Sequence, residues 1–161
     1  MTPVTELSDR ATVLILQELA EDLTRPAEIT TPEEAWLAIS AVLAAGGHDD
    51  AIARPESADE ALAAARRLLD HVAADGDVAP VVEPLIEDPP ADEQLAVETV
   101  VVTVVVVAAA IAFLQTKISF KVQRDEKGTR VDFEVLKKST SDSVLHKLID
   151  VLADVFRSGQ Q

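Results

Sequence analysis

Apolar residues recur at helical spacing from Leu7 to Ile86, lose all periodicity between Thr99 and Leu114, and alternate from Lys117 to Val135 before helical spacing returns. Each regime predicts an element. Leu7, Ala11, Leu14, Ile15 and Leu19 mark one face of a first helix over about Val4 to Leu23, which stops before Arg25-Pro26. A second helix opens at Thr31-Pro32-Glu33-Glu34, where the threonine caps, the proline suits the first turn and Glu34 stands where a capping box needs it. It carries Trp36, Leu37, Ile39, Ala41, Val42 and Leu43 and ends at Gly46-Gly47. A third repeats the device with Ser57-x-x-Glu60, bears Leu62, Ala65, Leu68, Leu69 and Val72, and closes at Asp75-Gly76. A shorter fourth, about Asp77 to Glu87, holds Val78, Val81, Val82, Leu85 and Ile86 around Pro80 and Pro84.

After the apolar run the period becomes two. Ile118, Phe120 and Val122 alternate with polar residues, as do Val131, Phe133 and Val135, and Asp125-Glu126-Lys127-Gly128 reads as the turn between two hairpin strands. Pairing Val122 with Val131 sets Phe120 opposite Phe133 and Ile118 opposite Val135. The same register puts Lys121 against Asp132 on the other face, so both faces agree. Ser139-Thr140-Ser141-Asp142 is rich in capping side chains, and Leu145, Leu148, Ile149, Leu152, Val155 and Phe156 then form one helical stripe. That helix is expected to fold back over the apolar face of the hairpin, since a lone hairpin needs a cover.

Between these halves stands TVVVTVVVVAAAIAFL, sixteen residues without a charge, opened by nine β-branched residues in a row. Pro89-Pro90 breaks the chain ahead of it, and Asp92 and Glu93 suit the first turn of a new helix. A helix from about Ala91 to Gln115 would be on the order of 37 Å long, enough for a bilayer core, although its uncharged part is only about 24 Å. Three surroundings fit such a run. It can cross a membrane, with Lys117, Lys121 and Arg124 placing the C-terminus in the cytoplasm. It can be a helix or strand buried in the core of a homo-oligomer, or a buried strand within one chain, given its high β-propensity. Val100, Val104, Val107, Ile111, Phe113 and Leu114 are the expected membrane-facing or assembly residues. Every face of the run demands cover, and the small, aromatic-poor flanking modules are not expected to supply it alone.

The resulting fold class is α+β, mostly α. A small acidic helical bundle (1–88) precedes a Pro-Pro connector with a long apolar, membrane-length helix (89–116), and a ββα unit (117–161) follows. Charge divides at the same places. Residues 1–98 hold 22 Asp/Glu against five Arg and no Lys, residues 115–161 hold nine Lys/Arg against seven acids, and the whole chain carries −15. Phosphates would be repelled by the first part, so nucleic acid is not an expected partner. The acidity reads first as a solvated helical surface and second as a docking face for a basic partner. Cysteine is absent, which excludes disulfides and thiolate metal sites. The opening MTPVTELSDR lacks the basic and apolar regions of a secretory signal.

Candidate chemistry is sparse. His48-Asp49-Asp50 follows a diglycine and could pair for proton transfer or metal binding, but a lone histidine beside loop acids is ordinary loop chemistry. Asp75-Gly76-Asp77 has the beginning of a calcium loop without its spaced ligands or closing glutamate. His71 and His146 have no partner nearby in sequence, and Trp36 reads as a core anchor. No catalytic residue, cofactor or metal site is therefore assigned.

Taken together, TVVVTVVVVAAAIAFL, KISFKVQRDEKGTRVDFEV and SDSVLHKLIDVLADVF resemble the effector-associated constant components, small bacterial proteins encoded beside NTP-dependent conflict systems. The resemblance covers about residues 96–156 and rests on hydrophobic patterning. It implies a non-enzymatic protein with a membrane segment and a cytoplasmic ββα-like tail serving effector complexes. The expected function is a non-catalytic, membrane-tethered adaptor or scaffold with protein partners, in the inner membrane with a cytoplasmic C-terminus. The alternative is a soluble, cytoplasmic homo-oligomeric structural protein whose valine-rich segments pack together.

Overall fold

The computed structural model describes residues 6–23, 31–47, 55–90, 99–135 and 141–156. Six helices and one two-stranded antiparallel sheet lie among them, so the chain is mostly helical. The order is α1 (Asp9–Leu23), α2 (Pro32–Ala45), α3 (Ala58–Ala74), α4 (Ala79–Glu87), α5 (Thr99–Leu114), β1 (Ile118–Asp125), β2 (Gly128–Val135) and α6 (Ser141–Val155).

The helix ends follow side-chain chemistry closely. Thr31 accepts the Glu34 N–H at 3.1 Å, and Ser57 accepts the Glu60 N–H at 3.2 Å, each satisfying a donor the helix leaves free. Gly47 closes α2 with φ +76°, a left-handed conformation that glycine adopts without strain. One start departs from expectation, and one cap closes on a different partner. Helix α1 begins at Asp9 rather than near Val4, because the Ser8 hydroxyl accepts the Ala11 N–H and its carbonyl accepts the Thr12 N–H, both at 3.0 Å. The Glu60 carboxylate accepts from the Glu56 N–H at 3.0 Å, one residue ahead of the cap.

Helix α5 is the centre of the molecule. It packs against α1, α3 and α2, and Val102, Val106, Ala109, Ala110, Phe113 and Leu114 are almost completely shielded from solvent. A β-branched residue costs roughly 0.5 kcal/mol of helix propensity relative to alanine, whereas fully burying a valine contributes about 1.5–2 kcal/mol. Burial therefore prevails over local preference, and the run is a helix, not the strand its valines favour. Two expectations are corrected here. No helix among the described residues is long and apolar enough to cross a membrane, α5 having 16 residues. The cover for the run comes from the chain's own helices, whose alanines and leucines allow close approach despite the scarcity of aromatic rings. The part of the expected helix over 91–98 lies outside the described residues.

The core is one contiguous cluster drawing on all three sequence segments, and Leu16, Leu68, Val106, Ile118 and Leu152 all belong to it. The hairpin register is the one the alternation predicts: Ile118 faces Val135, Phe120 faces Phe133, Lys121 faces Asp132 and Val122 faces Val131. Gly128, at φ +131°, lets the chain turn into β2. The cover of the hairpin is a further correction. Helix α2 is the main neighbour of β2, while α6 touches it little and lies chiefly on α3 and α2. The buried stripe of α6 includes Val151 besides Leu148, Ile149, Leu152, Val155 and Phe156, and Trp36 meets Phe156 edge-on with ring centroids 5.2 Å apart.

Two substitutions separate protein cover from any outside cover of α5. Val106 has no exposure, and Val106→Asp is expected to cost roughly 3 kcal/mol or more by burying a carboxylate. Val104 is 43 % exposed, and Val104→Asp should cost under about 1 kcal/mol. Urea unfolding of both variants measures the contrast. The Thr103 hydroxyl is buried without a hydrogen-bond partner, so Thr103→Val is expected to raise stability by about 1 kcal/mol in the same assay.

Candidate functional site

The placed polar chemistry lies along the seams where the C-terminal elements meet the acidic helices. The α3–α4 turn comes first. There Asp75, only 4 % exposed, accepts the Asp77 N–H at 3.0 Å, a short side-chain bond that fixes the turn. Lys117, in the three-residue link between α5 and β1, brings its Nζ to 3.4 Å from the Asp75 carboxylate and also pairs with Asp77. The ammonium thus sits where a calcium-loop reading would have placed a metal. Burial alone lowers the Lys117 pKa; the hydrogen bond to Asp77 and the charges of Asp75 and Asp77 outweigh it, and the net shift is upward.

A second lock lies near the other end of β1. Glu34 on α2 is 8 % exposed, and its two carboxylate oxygens accept from Arg124 Nε at 2.6 Å and Nη2 at 2.7 Å. The fork geometry makes this a charge-assisted bidentate pair. The strand is therefore staked at both ends, to two different helix junctions.

The third seam joins α3 to the last turn of α6. Arg67 Nη2 donates to the Val155 carbonyl at 2.9 Å, and His71 Nε2 lies 2.8 Å from Asp154 Oδ2. Residues 67 and 71 stand four apart on one helical face, so α3 offers two basic side chains to the negative end of the α6 dipole. An imidazole beside a carboxylate can serve as a general base. Among the described residues, however, no hydroxyl is hydrogen-bonded to that imidazole, and its position marks a helix–helix contact. Arg66 makes a comparable link, donating to the Leu7 carbonyl at 3.0 Å and to Asp9 at 2.7 Å.

The residues singled out from the sequence fall in several places. Val107, Ile111, Phe113 and Leu114 are buried in the chain's own core. Val104 points outward, and Val100 lies in α5 with its side chain outside the described set. His48-Asp49-Asp50 lies outside the described residues. His146 is exposed on α6, and Trp36 is half-buried and packs against the core. Among the described residues no group of three or more histidine or acidic side chains is arranged to hold a metal ion. The roles of Glu34, Lys117, Arg124 and the His71–Asp154 pair were missed. These partners are 40 to 90 residues apart, beyond any local pattern. The one available signal was the division of charge between the acidic first part and the more basic hairpin.

No protein-family model matches this chain, and neither a curated protein nor a solved structure does so.

Two measurements test the seams. Because the Lys117 pKa is raised, its stabilisation is fully present below the ordinary 10.5 and is lost as pH climbs through the higher folded-state value. Lys117→Met should therefore lower stability at neutral pH and reduce the loss seen between about pH 9 and pH 12, by urea unfolding across that range. Arg124→Met leaves the shielded Glu34 carboxylate without its guanidinium and is expected to cost about 2 kcal/mol, moderated by the partial exposure of Arg124. Replacing both residues by leucine should recover most of that loss.

Proposed function

We propose that this protein is a non-catalytic adaptor or scaffold that engages a basic segment of a protein partner through the acid-rich outer faces of α1 and α3. The observation that carries this reading is how the charges are used. Lys117 and Arg124 of the hairpin unit, and Arg66, Arg67 and His71 of α3, are engaged in contacts between elements. Glu21, Asp22, Asp59 and Asp70 remain exposed on the helices they belong to. Fixed acids on a rigid helical body attract a basic partner and orient it, mainly by raising the rate of encounter.

The non-enzymatic role implied by the resemblance of residues 96–156 to effector-associated constant components agrees with this reading, as does a place in a bacterial conflict or defence system. Membrane tethering is not needed for it, since Val107, Ile111, Phe113 and Leu114 are covered by the chain itself, although Val104 is exposed. The packing of valine runs between copies meets the same obstacle, with Val102, Val106 and Val107 covered by the chain itself.

Zero-length carbodiimide crosslinking in the native cells, read by mass spectrometry, is expected to join partner lysines to Glu21, Asp22, Asp59 or Asp70. A variant with all four replaced by lysine should fold and lose the adducts. Adducts confined to other surfaces, or a partner retained by that variant, would overturn the proposal.

A further inference from the structure

We draw no further inference here: the strongest candidate, the outward-facing Leu37 on α2 and Val104 on α5, is a pair of exposed apolar side chains, and nothing among the described residues shows what covers them.

Discussion

An uncharged stretch of sixteen residues has no polar side to offer to water, and the other elements cover most of it, leaving a narrow strip at Val104 and Ala108. A helix with one polar stripe can lie on a surface, but Thr99–Leu114 has none, so it takes the central position. Chain length then selects its conformation. As a strand the run would extend roughly 53 Å, while a domain of this size has a radius of gyration of about 15 Å. As a helix it measures about 24 Å and fits inside. Its backbone polar groups are also satisfied internally, whereas a buried strand would need ladder partners along both edges. The alanines at 108–110 and 112 thin the later turns, and α1, α2 and α3 supply leucine, isoleucine and valine in return. A core short of aromatic rings can still be dense when the helices come close enough.

The position of α5 decides where the hairpin goes. Only Gln115, Thr116 and Lys117 separate the helix from β1, so the strand has to start at the bottom of the core. Ile118 enters that core directly, and Lys117 beside it finds Asp75 and Asp77. Paired charges of this kind add little net stability after desolvation, but a wrong docking would leave Glu34 or Asp75 shielded and unpaired. Their contribution is to orientation. The apolar faces of α2 and the hairpin would tolerate sliding, and the bidentate Glu34–Arg124 pair fixes one alignment.

What could be read in advance was whatever is local. The hairpin register follows because both faces of a period-two pattern agree on one pairing, and a slip of one residue would turn Phe120 and Val131 outward. The caps at Thr31 and Ser57 follow because a side chain three residues from its target needs no tertiary information. The surroundings of α5 did not follow. A continuous apolar run calls for cover on most of its faces and is silent on whether lipid, another copy or the same chain provides it. The placement of α6 failed for a related reason: its stripe fits any apolar surface, and Trp36 on α2 offered Phe156 a better one than the hairpin. Ser8 was overlooked because the apolar periodicity extends past the cap to Leu7, which is buried although it lies outside α1.

The surplus of acid has no explanation in folding. Exposed carboxylates on α1 and α3 repel one another, and screening over about 8 Å at physiological salt softens that repulsion without removing it. Solubility alone would be served by charge spread over every element. Here the hairpin and α6 are nearly balanced, whereas residues 1–98, with 22 acids against five arginines, hold the excess. Lys117 and Arg124 are engaged by Asp75, Asp77 and Glu34, while Glu21, Asp22, Asp59 and Asp70 stay exposed on α1 and α3. The part of this asymmetry that pairs with no other element is a property of the surface, and it is the basis of the proposed docking of a basic segment.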